Sequence, residues 1–453
     1  PEGNPLSASH RLFSGLIRYY DATGDGRALE GAVGLGEWCL TQRDEIAKQC
    51  GGPTFFIFQW LTEPLANLYR LTGQREYLDL AAQIVAPTET IEYCHSHGTL
   101  ATLRGLQLAA LYTGDMSWNE TPERFRREII ERHYEMADGC IAETFPRSFR
   151  NEGCSIADWV ILNLNAGLLL GDDDAYETAE NAMWNALFFN QFITGGFGHR
   201  DLTPLGYAMG PLSECWWCCT ENGGLGMAEY ARHAVSLRGD VVSVNLLTPG
   251  VFRLSTHGGD EITVEVQTRY PAVADATVTV RNLPAAMQAR LRVPSCLRNA
   301  GIAETREGDA LVLRLTGKLG HHLQPYQDKF TLRYGPLVLA PMVSYWDRED
   351  TNTTTNAPPG YIPSSMPSGT PTLGVGPADG DGLLSVSQEP LPAWIYFEQG
   401  PRSPISINGA SANVSVRFEN GRQETLWFSP LCHITSNMSY YDTPILFDYE
   451  HPC

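Results

Sequence analysis

Along the first half of the chain, apolar positions recur at helical spacing. Along the second half they alternate with polar ones, and the change falls near residue 240. "LIRYYDATGDGRALEGAVGLGEWCL" reads as an amphipathic helix, a Thr-Gly-Asp break and a second helix. "PLANLYRLTGQREYLDLAAQIV" repeats the device at Thr72-Gly73, and "LRGLQLAALYTGDMSW" and "ILNLNAGLLLGDDDAYETAENAMWNALFF" supply two more copies. In each, Gly is placed to end a helix in a left-handed cap, and the polar residue after it starts the next. The copies lie roughly 40 to 55 residues apart, wider than the common solenoid repeats. Such hairpins cannot bury their apolar faces singly, so they must stack or close into a ring, an α/α toroid whose mouth is a natural cleft. About nine helices precede "SLRGD", against about twelve for a six-hairpin toroid, so the missing amino-terminal helices are expected before residue 1.

Beyond that point "VVSVNLLTPG", "DEITVEVQTRYP", "ATVTVRNLP", "QARLRVPSC" and "ALVLRLTG" are short alternating runs divided by Gly, Pro and Asn. They predict an antiparallel β-sandwich whose first part "KFTLRYGPLVLAPMV" closes. A stretch dense in Pro, Gly, Ser and Thr follows, and then further strands in "ASANVSVRFENG" and "TPILFDYE". The expected fold is α + β and multidomain. An (α/α) toroid-type helical barrel over 1–238 is the catalytic domain, and a β-sandwich covers 239–345. A loop or linker covers 346–385, and carboxy-terminal strands over 386–453 complete or add to the sandwich.

Composition narrows the function. With 43% hydrophobic and 19% charged residues, the chain of 453 is globular and long enough for more than one core. A net charge of −20 argues against nucleic acid or an anionic membrane, whereas a neutral sugar is indifferent to that field. No run of about 18 apolar residues suggests a membrane span. The chain opens "PEGNPLSASH" without Met, so a mature or trimmed amino terminus is expected. Asn119, Asn352, Asn413 and Asn437 sit in N-x-S/T sequons, which tilts the balance toward a secreted glycoprotein. In that case Cys432 and Cys453 are candidate disulfide partners, while Cys39, Cys50, Cys94, Cys140 and Cys296 read as buried free thiols.

The remaining cysteines gather in two short stretches, "NEGCSIADW" and "SECWWCCTENGG". Glu152-x-Cys154 and Cys215-x-x-Cys218-Cys219 offer five donors for the four positions of tetrahedral zinc. Adjacent cysteines rarely pair with each other, which favours a metal over a local bridge. Buried thiols or disulfides stand as the other reading. Trp216 and Trp217 fit either a sugar-stacking wall or a core, and "ENGGLG" reads as a turn entering a helix, since it follows no strand of a βαβ unit.

At these residues the chain resembles the glycoside hydrolase 127 group and its neighbours, the β-L-arabinofuranosidase-like proteins. The resemblance rests on Glu152-x-Cys154 ahead of Cys218-Cys219-Thr220-x-Asn222-Gly223. It extends through "SASHRLFSGLIRYYDATGD", "HSHGTLATLRG", "VVSVNLLTPG", "VEVQTRYP", "ARLRVPSC" and "YGPLVLAP", roughly residues 5 to 345. It implies a zinc site of Glu152, Cys154, Cys218 and Cys219, with Cys218 as nucleophile. It implies Glu143 as acid/base and His10, His97 and Tyr207 as substrate-binding residues. The implied reaction is retaining hydrolysis of L-arabinofuranosyl or related pentose residues in plant-type glycans. Cys215 departs from the four-donor set and could displace one of them. Taken alone, Glu143 reads as a solvated helix-end carboxylate, the histidines as structural residues and Tyr207 as core packing. Two other functions fit the same pattern. One is a polysaccharide lyase drawing on His97, His199 and Tyr207; the other is a secreted carbohydrate-binding protein whose zinc is a staple.

Overall fold

The computed structural model describes residues 5–49, 60–85, 90–192, 194–208, 215–341, 370–386, 410–419, 421–433 and 443–449, the side chains of 5–10, 49, 208, 424, 433 and 444 excepted. The helix breaks fall where the Thr-Gly-Asp stretches place them. Pro5–Thr23 ends at Gly24, whose φ of 71° suits a residue without Cβ. Asp25 then caps Gly26–Thr41 by accepting from the Arg27 amide at 3.0 Å. The left-handed break recurs at Gly73, Gly114 and Gly171.

The chain divides into two compact units. The first is Pro1–Glu135, Ile141–Ser148 and Ile161–Asp172; the second is Met136–Cys140, Phe149–Val160 and Asp173–Cys453. In the first, Phe13 and Ile17, Ala32 and Cys39, Leu65 and Leu68, and Tyr77 and Leu80 interlock across four helices, Pro5–Thr23, Gly26–Thr41, Thr62–Thr72 and Glu76–Val85. Their apolar positions share one face per helix, which is why the helices pair.

The second unit is mostly strand. A five-stranded antiparallel sheet runs in the order Arg298–Glu307, Ala310–Lys318, Ala276–Arg281, Glu261–Thr268, Gly250–Ser255. A three-stranded sheet joins Val235–Arg238, Val241–Val244 and Gln288–Leu291, the last two in parallel. Val242, Val244 and Leu291 of the smaller sheet share one core with Val264, Val278 and Leu313 of the larger. The period-2 pattern therefore buries two sheets against each other, as alternation requires. The strand half opens at Val235, a few residues before the expected boundary.

A seven-stranded sheet has the order His321–Tyr326, Lys329–Tyr334, Leu337–Pro341, Gln423–Pro430, Ala412–Arg417, Thr372–Gly374, Asp448–Tyr449. Most of the expected linker lies outside the described residues, but Thr372–Gly374 within it is a strand of this sheet. A small fourth sheet pairs Arg150–Glu152, His199–Thr203, Gly206–Ala208 and Thr443–Pro444.

The helix Gly153–Leu170 is long and apolar enough to cross a membrane by length and composition, although Asp158, Asn163 and Asn165 interrupt any continuous apolar run. With 89% of that window buried inside the protein, it is a core helix.

Candidate active site

One strand edge organises the cysteine stretches of the second unit. Arg150–Glu152 lies antiparallel to His199–Thr203, with Glu152 opposite His199. The chain then turns directly into the helix Gly153–Leu170, and the Gly153 amide donates to the Gly198 carbonyl at 2.8 Å. One residue away, the Phe197 carbonyl accepts from the Trp216 amide at 2.9 Å, just ahead of the helix Trp217–Arg232. Neighbouring carbonyls thus hold the starts of two helices side by side. Cys154 falls in the first turn of one, Cys218 and Cys219 in the first turn of the other. The partial positive charge of a helix start favours thiolate over thiol.

Close packing fixes the distance. A Cβ on Gly153 would meet Asn190 Oδ1 at 2.6 Å and Cys219 Cβ at 3.3 Å. "ENGGLG" is not a turn entering a helix but part of Trp217–Arg232 itself. Its Gly223 leaves room for the Phe197 ring, 2.4 Å from a Cβ there, and its Gly226 for Ala157 on the other helix.

The three sulfurs of Cys154, Cys218 and Cys219 lie within 4.8 Å of one another. Cys154 Sγ is 3.7 Å from Cys219 Sγ, and Cys218 Sγ is 3.9 Å from Cys219 Sγ. These are not disulfides, whose sulfurs sit about 2.05 Å apart. They match the roughly 3.8 Å edge of a tetrahedron whose centre is about 2.3 Å from each sulfur, the zinc–thiolate length. Glu152 Oε2 lies 3.5 Å from Cys154 Sγ and adds a carboxylate to the donor set. The residues present therefore fit a thiophilic divalent cation such as zinc.

Deprotonated without a cation, the set is costly electrostatically. Burial pushes the Cys154 thiol well above its ordinary value, and the neighbouring cysteines push the same way. Cys219 receives a hydrogen bond from Cys154 that pulls its pKa down, but Cys218 and burial outweigh it and carry it up to about 12. Only a cation makes thiolates here cheap to form.

Cys215 stands apart: it is exposed, bridges to Gly198, and its sulfur is 3.3 Å from Thr194 Oγ1. Among the described residues it does not join the sulfur group. Trp216 and Trp217 are 44% and 62% exposed, so they are surface rings and not core. His199, which the resemblance did not assign, places Nε2 3.3 Å from Glu152 Oε1.

Buried amides anchor the strand beneath. Asn190 Nδ2 donates to Asn151 Oδ1 at 3.2 Å, the same oxygen takes the Arg200 amide at 2.8 Å, and Asn190 Oδ1 takes the Gly198 amide at 3.0 Å. Asn190 is delivered by a helix whose segment Ala182–Leu187 is a π-turn, a feature common near functional sites.

Tyr207 corrects an expectation. It is fully buried, its hydroxyl donates to Asp138, and its ring meets Phe189 edge-on at 4.7 Å. Its hydroxyl is engaged inside the fold, which leaves the lyase reading with His97 and His199. Asp138 is itself raised by burial, against the pull of Tyr207.

In the first unit, short backbone pairing joins the stretch around His95 to that around Glu143. The Ser96 amide donates to the Glu143 carbonyl at 2.9 Å, and His95 bridges Thr144. Glu143 is half-buried, not a solvated helix-end carboxylate. Ligand atoms of His95 and Glu143 lie within 4.8 Å. His97, taken from the sequence as substrate-binding, is buried beside Trp60 at 5.4 Å, while His95 is the histidine within reach of the carboxylate. The His95 ring also caps the helix Ser96–Thr113, accepting from the Gly98 amide at 3.3 Å, a cap position legible in "CHSHG". The side chain of His10 lies outside the described residues, as do Asn352 and Asn437. Asn119 is buried, which leaves no room for a glycan on the folded chain, and Asn413 is partly buried. Cys39, Cys94, Cys140, Cys296 and Cys432 are free thiols, while Cys50 and Cys453 lie outside the described residues.

The model of the GH127 catalytic domain of beta-L-arabinofuranosidase matches residues 6–232. The chain belongs to the GH127 family. As a GH127 protein it is a glycoside hydrolase, and its substrate is a carbohydrate. Solved structures repeat the fold at low identity. A glycoside hydrolase superposes with a TM-score of 0.69 at 13% identity, covering 98% of this chain and 83% of its own. A GH127 beta-L-arabinofuranosidase from Geobacillus stearothermophilus T6 gives 0.67 at 14%, covering 99% and 81%. A second GH127 beta-arabinofuranosidase gives 0.64 at 15%, covering 97% and 76%. No curated protein matches the sequence.

Proposed function

We propose that this GH127 chain is a zinc-dependent retaining hydrolase that releases β-L-arabinofuranosyl or related pentose residues from plant-type glycans. The observation that carries the proposal is the set of three sulfurs within 4.8 Å of one another on two helix starts, with two pairs at the edge length of a zinc tetrahedron. Two of them, Cys154 and Cys219, are buried, while Cys218 is partly exposed and so is the one a substrate can reach. The Asn222 side chain holds the first turn by donating to the Cys218 carbonyl at 3.0 Å. A bound zinc would keep these cysteines as thiolates at neutral pH. The Cys218 sulfur attacks the anomeric carbon while the bond to the leaving oxygen breaks, and Glu143, assigned through the family resemblance, protonates that oxygen. Water then displaces the sulfur, giving its proton to Glu143. The pentose rests on the relatives described as beta-arabinofuranosidases, and the toroid-and-sandwich architecture belongs to the same reading.

Elemental analysis of wild type and Cys218→Ser, with hydrolysis of p-nitrophenyl β-L-arabinofuranoside, tests the proposal. About one zinc per wild-type chain is expected, with turnover falling about 10⁴-fold or more in the variant. Full turnover by Cys218→Ser would remove the nucleophile assignment, and a wild type that binds no metal would remove the zinc.

A further inference from the structure

The carboxylate of Glu152 is divided between two neighbourhoods. Its Oε2 faces the thiols, 3.5 Å from Cys154 Sγ, and takes the Ser155 hydroxyl at 3.3 Å. Its Oε1 points the other way, 3.3 Å from His199 Nε2. The two residues face each other in register across the strand pair, so backbone pairing sets this meeting. The imidazole is fixed in turn by the Trp216 ring, edge-on at 5.3 Å between centroids. A carboxylate oxygen only accepts, so Nε2 is the nitrogen that carries the proton.

We infer that His199 is a positioning residue for the metal site. It holds Oε1 of Glu152 so that Oε2 alone is presented to the cation with the three sulfurs. This rests on the metal reading above and goes beyond it, because the four donors do not by themselves fix how the carboxylate is turned. A free carboxylate can rotate, bind a cation through both oxygens, or swing to solvent. A donor on one oxygen removes those alternatives, and removing such outer contacts typically weakens metal binding about 10- to 100-fold. Sequence reading considered His199 only as a proton-abstracting base, because a histidine and a glutamate 47 positions apart carry no spacing signal.

Two variants separate the donor from the ring. His199→Gln keeps an N–H donor on a shorter, non-aromatic arm, whereas His199→Phe keeps a ring against Trp216 and loses the donor. The measurements are zinc affinity by competition with a chromogenic chelator and the thiolate-to-cobalt charge-transfer band of the cobalt-loaded protein. Thermal midpoints of the metal-free proteins serve as the folding control. Wild type is titrated first, and a wild type that binds neither zinc nor cobalt would fail the metal reading itself before any variant is compared. With wild-type binding in hand, His199→Phe is expected to bind zinc about 10- to 100-fold more weakly, with an altered cobalt band. His199→Gln is expected to stay within a few-fold of wild type. Equal affinities in all three proteins, equal loss in both variants, or loss in His199→Gln alone would overturn the assignment.

Discussion

The second unit buries two clusters of ionisable side chains, and they solve the problem of burial in opposite ways. Around Arg292, opposite charges complete one another. Its Nη1 lies 2.5 Å from Glu177 Oε1 and its Nη2 pairs with Glu180, while its Nε donates to the Asn245 carbonyl at 2.5 Å. Glu177 also takes the Ser295 amide and hydroxyl. That cluster needs nothing from outside: it ties the helix Asp173–Asn181 to the end of the strand Gln288–Leu291. Around Cys154 the members are alike, three thiols and a carboxylate. A buried set with complementary members is structure. A buried set of like members, spaced as the corners of one polyhedron, is built for something that arrives later.

The contrast can be broken at its strongest point first. Arg292→Met leaves two carboxylates in an apolar setting, and urea unfolding should show a loss of about 3–5 kcal/mol. The variant should still bind zinc with wild-type affinity, since it touches no sulfur; a parallel loss of metal would erase the distinction between the clusters. Next comes pH. Burial pushes Glu180 up to about 7 from its ordinary 4.5, although Arg292 pulls against it. The folded chain therefore holds a proton that the unfolded chain releases across that interval. Stability from this group is complete below about 4.5 and is lost as pH rises through about 7, a fall of up to about 3 kcal/mol. The difference between wild type and Glu180→Gln, followed by denaturant midpoints from pH 4 to 8, should carry that slope. Smallest is metal removal. Zinc at about 100 times its dissociation constant stabilises the folded chain by about 2.7 kcal/mol, so chelation should lower the thermal midpoint of wild type and of Arg292→Met by similar amounts. No shift in either would mean that the sulfur cluster holds no cation.

Much of this was legible in the chain. The Thr-Gly-Asp breaks and the strands from Val241 onward follow from local periodicity and turn chemistry, which need no tertiary information. The thiol stretches stood out because two adjacent cysteines and a Glu-x-Cys have few other uses. What stayed hidden depends on pairing at long range. Arg150–Glu152 is a strand of three residues, too short to show alternation, yet its register against His199–Thr203 turns the carboxylate toward His199. The burial of Asn119 was equally invisible, because a sequon reads the same inside and outside the fold, and for Tyr207 the sequence left core packing and sugar binding side by side. Gly223 and Gly226 suggested a turn, when their function is to let the Phe197 ring and Ala157 approach a helix.

The small sheet beside the thiols has one strand from far along the chain: Thr443 lies opposite Tyr207 and Pro444 opposite Gly206. On the ribosome, the cysteines and their strands emerge long before that partner exists. The sheet beside the thiols is finished only once Thr443 and Pro444 have been made, so a nascent chain carries every sulfur while lacking the last strand of their platform.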